Sequence, residues 1–337
     1  MSRETDEGIA PPLVSVLIAS YNHRAFIRET LESVLAQDYP RLRIVVADDG
    51  SRDGTQEILR DYAERFPDRV TCLLSPVNTG ISENVNRALA ACHGPYIALL
   101  GGDDLMLPGK LSRQVAFLEA RPDAAGCAHD TEVFESESGR TFGRFSSVIN
   151  REPGYREGGP ELWLREGYWV LPSSLVVRAE AVPAHGWDTR LRFLADVLFL
   201  AEVFQHGRCC VLDEVLGKYR RHGGSATASQ ALMQSTVEET LICMSILNAR
   251  YPDLYPYTRR RTRNQYLAEA NRSLARGDRA RFLRYLWIAF RMGAVVQAAG
   301  LFIAGLCFRN FLAGQIYRPL HERPGWFLRL VNFMKRL

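Results

Sequence analysis

Up to residue 104 the chain alternates four short apolar runs with three amphipathic stretches, a rhythm that fits a parallel sheet covered by helices. Leu13-Val-Ser-Val-Leu-Ile-Ala19 follows Pro11-Pro12 and is almost continuously apolar, as a strand covered on both faces must be. Phe26 to Ala36 then sets Phe26/Ile27, Thr30/Leu31 and Val34/Leu35 at helical spacing and stops before Tyr39-Pro40. The pattern repeats with strands over Leu42–Ala47, Val70–Leu74 and Tyr96–Leu100 and helices over Thr55–Phe66 and Ser82–Cys92. This β-α-β-α-β-α-β order predicts a Rossmann-like half with right-handed crossovers, whose ligands bind beyond the carboxyl ends of the strands.

After Leu111 the rhythm changes to one helix ending at Ala120, a strand near Ala124–His129, polar hairpin-like sequence to Gly154, and an aromatic stretch from Leu162 to Trp169. Val176, Leu198 and Val211 are expected in further core elements, and beyond Ser225 the pattern is almost wholly helical. The expectation is an α/β domain over residues 1–227 and a helical region over 228–337.

Charge divides the chain in the same way. Residues 255–337 carry 16 basic and three acidic side chains, a balance of +13, which leaves −9 for residues 1–254 of a total of +4. That mild total argues against a nucleic-acid partner. The seven cysteines include no Cys-x-x-Cys pair, so buried thiols in a reducing compartment are expected rather than disulfides or zinc. The acidic opening Met-Ser-Arg-Glu-Thr-Asp-Glu has no apolar core of a signal peptide, and a cytoplasmic location is expected.

Two acidic pairs end two of the strands at the ligand-binding edge: Asp48-Asp49 and Asp103-Asp104. A lone Asp-Gly after a strand is commonly only a turn. Two pairs on one sheet edge point instead to a divalent cation and a nucleotide, because a hard ion is held by one or two carboxylates and completed by diphosphate oxygens.

Val14-Ser-Val-Leu-Ile-Ala-Ser-Tyr-Asn22, Ile44-Val-Val-Ala-Asp-Asp-Gly-Ser51, Asp53-Gly-Thr55, Asn78-Thr-Gly80 and Tyr96-Ile-Ala-Leu-Leu-Gly-Gly-Asp-Asp104 together resemble the family 2 glycosyltransferases of GT-A fold, over about residues 12–225. The resemblance implies transfer of a sugar from a nucleotide-diphosphate donor to an acceptor hydroxyl, with inversion and with Mn²⁺ or Mg²⁺. It implies a base-reading role for Asp49, with Ala19 and Tyr21 lining the same pocket, and a metal-binding role for Asp103. Gly101 stands where the family usually has a further aspartate, so Asp104 becomes a second metal candidate, with capping of the turn before Pro108 as its other role. Asp196 resembles the general base. It sits among apolar residues, where partial desolvation raises a carboxylate's proton affinity, and a helix cap is the alternative. Lys218-Tyr-Arg-Arg-His-Gly-Gly-Ser225 also resembles a family signature. Arg220, Arg221 and His222 would close over the donor's diphosphate, or else form a basic exit loop. Ser82 reads either as a donor contact or as an N-cap, and Trp163, Tyr168, Trp169 and Trp187 either as sugar-stacking or as core residues.

Gln265–Arg291 reads as two amphipathic helices broken at Gly277-Asp278. Met292–Phe308 is 17 residues without a charge, just short of a membrane span, and Trp326–Arg336 mixes aromatics with cations like an interfacial helix. The expected partner is an anionic membrane surface on the inner face of the cell membrane, with a helical subdomain or a homo-oligomer interface as the alternative. Cell-surface polysaccharide or glycolipid synthesis, with a saccharide or lipid-linked acceptor, is the expected setting. The competing reading is a glycosyltransferase-like module that binds nucleotide or membrane without turnover, suggested by Gly101 and by Ala195, where the family usually has an acid.

Overall fold

A computed structural model describes residues 10–149, 151–166, 170–224, 230–294 and 297–298, and side chains for all of these except 230–236. The chain divides into two compact units at Ser229/Gln230.

The first unit begins with β1 (Val14–Ser20), α1 (Ile27–Leu35), β2 (Leu42–Asp48), α2 (Thr55–Arg65), β3 (Val70–Leu74), α3 (Ile81–Ala91) and β4 (Tyr96–Gly101), within a residue or two of the sequence expectation. These strands lie parallel in the order β3-β2-β1-β4. β1 occupies the middle because both of its faces are apolar, and Val14, Val16 and Ile18 are fully buried. Against it α1 packs Ile27, Leu31 and Val34, the stripe that its helical spacing sets on one face.

The chain continues through β5 (Leu105–Met106), α4 (Lys110–Ala120), β6 (Ala124–Glu135), β7 (Thr141–Arg144), α5 (Phe145–Val148), β8 (Arg156–Gly158), α6 (Pro160–Glu166), β9 (Val176–Arg178), α7 (Ala195–Val203) and β10 (Arg208–Arg221). β9 lies antiparallel to both β4 and β6, and β10 runs parallel to β6, so one ten-stranded sheet spans the described residues of this unit. β6 runs six residues past the expected His129 because β10 and the hairpin partner β7 both pair with its second half. Val176, Leu198 and Val211 fall in β9, α7 and β10 and are buried, as expected.

The second unit consists of α8 (Gln230–Arg250), α9 (Tyr255–Ala275) and α10 (Arg279–Arg291). The break at Gly277-Asp278 is real. Gly277 takes φ +77°, and the Asp278 carboxylate caps α10 by accepting the Arg281 N–H at 3.0 Å. Phe282 and Leu286 of α10 pack with Ala270 of α9 and Ala298. Among the described residues no helix is long and apolar enough to cross a membrane. Most of 292–308 and all of 326–336 lie outside the described residues.

Candidate active site

Pairing register builds the site edge. Ser20 is opposite Asp48 and Ala19 opposite Gly101, so β1, β2 and β4 end level and their loops leave from one line. Two main-chain bonds extend that edge past the strands: Asp49 N–H to the Ser20 carbonyl at 3.0 Å and Gly102 N–H to the Ala19 carbonyl at 2.9 Å.

Asp48 and Asp49 diverge at once. Asp48 is fully buried and accepts from Ser51 N–H, Ser51 Oγ and Gln56 Nε2, so it shapes its own loop. Asp49, only 3% exposed, accepts from Thr79 N–H, Thr79 Oγ1 and Gly80 N–H at 2.7–2.8 Å. Its carboxylate therefore gathers the Asn78-Thr79-Gly80 loop to the edge. Ala19 is half-buried beside it, and the Tyr21 ring is 46% exposed.

The loop after β1 holds one residue firmly. Asn22 adopts a left-handed φ of +55°, donates its N–H to Ser51 Oγ and accepts from Arg52 N–H, while the Arg24 N–H donates to Asp53. Between these anchors His23 turns inward. Burial holds its imidazole below the ordinary histidine value, so the ring is neutral near pH 7. His23 meets Asp103 and His222 there, and one ligand atom from each of the three lies within 4.8 Å of the others. His222 Nε2 is 3.0 Å from the Asp103 carboxylate. Two imidazoles and a carboxylate, with the buried His23 Nδ1 lacking a hydrogen-bond partner, form a donor set that fits a divalent transition ion.

Asp104 stands outside that cluster. It is 3% exposed, accepts the Arg220 N–H at 2.9 Å and the Ser173 hydroxyl, and so staples the ends of β4 and β10 to the turn before β9. Burial and the neighbouring Asp103 charge push its carboxyl up to about 8. Arg220 is likewise an internal strut. Its guanidinium lies between the Phe26 and Phe134 rings, at 4.9 and 4.7 Å, and donates to the Asp103 carbonyl, Ser136 and Glu29. Arg221 is exposed and stacks over Phe142.

Asp196 lies in the first turn of α7, half-buried, and accepts the Val197 N–H at 2.8 Å. The cap position itself belongs to Leu194. The segment ahead of α7 is tied to α3. Ser82 Oγ donates to the Leu191 carbonyl, and the Asn86 amide bonds both the N–H and the carbonyl of Trp187. Ser82 is thus neither a cap nor free for a donor; Gly80 holds the cap position of α3. Trp163 is fully buried and donates to the Val197 carbonyl, and Trp187 packs on Phe199, so both are core residues. Tyr168 and Trp169 lie outside the described residues.

Sequence reasoning missed His23 and Ser173. The signal for His23 was Gly102, since a glycine at a strand end can mark a close approach by another group.

The profile of glycosyl transferase family 2 matches residues 15–168. A Bacillus subtilis (strain 168) protein, provisionally named teichuronic acid biosynthesis glycosyltransferase TuaG, is 39% identical over 110 residues, 33% of this chain and 43% of its own. The chain spans between 39% and 59% of the length of the first curated relatives it matches. Among solved structures, S. aureus TarS 1–349 in complex with UDP-GlcNAc superposes with a TM-score of 0.65 at 18% identity, over 83% of this chain and 81% of that one. The mannosyltransferase PcManGT from Pyrobaculum calidifontis, in complex with GDP-Man and Mn²⁺, gives 0.57 at 19% identity over 98% and 88%. At these identities the two structures speak for the fold.

Proposed function

This chain belongs to glycosyl transferase family 2 through residues 15–168, with the GT-A fold, and we propose that it transfers a sugar from a nucleoside-diphosphate donor to an acceptor hydroxyl with inversion at the anomeric carbon. The observation that carries the proposal is the meeting of Asp103, His222 and His23 at the same sheet edge as Asp49. UDP- and GDP-sugars in TarS and PcManGT support that donor class, and TuaG supports a cell-surface polysaccharide as the setting.

Asp49, at the head of the Thr79-Gly80 loop it gathers, receives the base beside Ala19 and Tyr21. Asp103 and His222 would hold the divalent ion, which when bound neutralises charge on the departing diphosphate. Asp196 accepts the proton of the acceptor hydroxyl as its oxygen forms the bond to the anomeric carbon and the bond to the diphosphate breaks. Exposed Arg221 would leave its stack on Phe142 to approach the diphosphate from the edge, whereas Arg220 acts from behind by fixing the loop that carries Asp103.

Asp196→Asn is the test. It should fold and bind donor while transfer falls by about 10²–10⁴; near-normal turnover removes Asp196 as base. Donor hydrolysis or transfer with Mn²⁺ that disappears in Asp103→Ala distinguishes an enzyme from a binding module.

The second unit supports a peripheral contact with an anionic membrane. On α10 Leu283, Trp287 and Phe290 are 50%, 60% and 48% exposed at helical spacing, and Arg284 and Arg291 flank them.

A further inference from the structure

The pair Gly101-Gly102 is more than the loss of an acid. A Cβ on residue 102 would lie 2.4 Å from His23 Nδ1 and 3.0 Å from the Ala19 carbonyl oxygen, and one on residue 101 would lie 2.8 Å from an Asp103 carboxylate oxygen. At 101 only the end of the Asp103 side chain would have to give way, whereas at 102 a methyl, with the Ala19 carbonyl behind it, must push the His23 ring aside, so Gly102 clears the space that ring fills.

His23 does not fill it by accident. Asn22 on one side and Arg24 on the other are both hydrogen-bonded to the loop after β2, and Asn22 takes a left-handed turn to aim the ring inward. Once there, Nδ1 is buried and has no hydrogen-bond partner among the described residues. A buried nitrogen left unpaired is costly unless something else takes its lone pair. One ring nitrogen of His23 and one ligand atom each of Asp103 and His222 all lie within 4.8 Å of one another.

Resting on the glycosyltransferase reading above, we infer that His23 is a third protein ligand of the divalent ion, replacing the carboxylate absent at 101, and that the site takes up a transition ion before any nucleotide arrives. The chemistry of the donors sets both properties. An ion held by one carboxylate depends on the nucleotide's diphosphate to complete its shell, and such a site suits Mg²⁺. Imidazole nitrogens favour the borderline transition ions and disfavour Mg²⁺, and three protein donors hold an ion without help from a ligand. His222 reports the uptake. Gly224 N–H donates to its Nδ1 at 3.2 Å, so an ion on Nε2 moves the ring proton to Nδ1 and releases that amide.

The full chain, stripped of metal by chelation, is titrated with Mn²⁺ in the absence of nucleotide, by calorimetry and by pulsed electron paramagnetic resonance. One Mn²⁺ should bind, with ¹⁴N couplings from two imidazoles, and Mg²⁺ should bind at least about tenfold more weakly. In His23→Ala one coupling should vanish and Mn²⁺ affinity should fall by at least about tenfold. Gly102→Ala removes no ligand atom, yet its methyl displaces the His23 ring and should cause the same loss. That variant decides the question if His23→Ala fails to fold, with circular dichroism as the check on both. Wild-type protein that binds no Mn²⁺ without nucleotide, or either variant keeping both couplings and full affinity, overturns the inference. Such a result leaves the glycosyltransferase reading standing if Asp103→Ala still abolishes transfer. Wild-type protein that neither transfers sugar nor hydrolyses donor sinks that reading even where His23 binds metal.

Discussion

Replacing Arg220 by alanine separates two roles for one cation. The family resemblance gives it the donor's diphosphate, whereas the structure buries it to 5% exposure between two aromatic rings. Each ring contact with a desolvated guanidinium contributes about 1 kcal/mol. Each hydrogen bond, to the Asp103 carbonyl and to Ser136, contributes about 1 kcal/mol more. The ion pair with Glu29 adds little, since that carboxylate is 58% exposed and stays hydrated. Arg220→Ala should therefore cost about 3 kcal/mol once the relief of desolvating the cation is allowed for. For a unit of this size that is a fall of about 6–12 °C in the thermal midpoint of its transition. Arg220→Lys keeps the charge but loses the planar fork and the stacking, and should recover about half of the loss. Differential scanning calorimetry and urea unfolding of the full chain read the stability, and donor KM is measured on the fraction that folds. Stability within about 0.5 kcal/mol of wild type, with donor KM raised more than about tenfold, would refute the strut and return Arg220 to the donor.

Lys110 gives a pH-dependent counterpart inside the first unit. It is fully buried with its Nζ 2.9 Å from Gln114 Oε1, and burial pulls its ammonium from 10.5 down to about 7. Between these values the unfolded chain holds a proton that the native state has released, so this residue makes stability rise with pH; below about 7 its full burial cost remains. Lys110→Met should stabilise by about 1–3 kcal/mol near pH 6.5, offset in part by the orphaned Gln114 oxygen, with the gain fading towards pH 10. Urea unfolding at several pH values checks this, and a difference that does not vary with pH counts against it. For the second unit, replacing Leu283, Trp287 and Phe290 together by serine should abolish salt-sensitive sedimentation with phosphatidylserine vesicles. Equal pelleting with neutral vesicles would exclude the anionic surface.

The first half of the sheet was legible because its signal is local. An apolar run such as Val14–Ile18 can be satisfied only by cover on both faces, and Ile27, Leu31 and Val34 can share one buried stripe only in a helix. β9 was beyond reach for the opposite reason. Three residues, Val176–Arg178, carry no periodicity of their own and become a strand because β4 and β6 leave a gap between them with backbone groups to pair. The length of β6 is also a tertiary result, since its polar second half is held in place by β10 and β7 on its two sides.

Within the site, the sequence offered charged and polar residues at a strand edge, and each had the chemistry to face either a ligand or the protein. Asp103 and Asp104 are adjacent and chemically identical. What parts them is that Ser173 and the Arg220 amide, 69 and 116 residues later in the chain, arrive on one carboxylate and leave the other to two histidines. The same holds for Arg220 and Arg221, since strand alternation turns one guanidinium between Phe26 and Phe134 and the next towards solvent. A motif therefore locates a functional edge, and long-range partners decide which of its members can meet a ligand. Glycine is the one residue whose presence forecasts such a partner in advance. Here Gly102 makes room for the ring of His23, while Gly101 faces the carboxylates of Asp103 and Asp104.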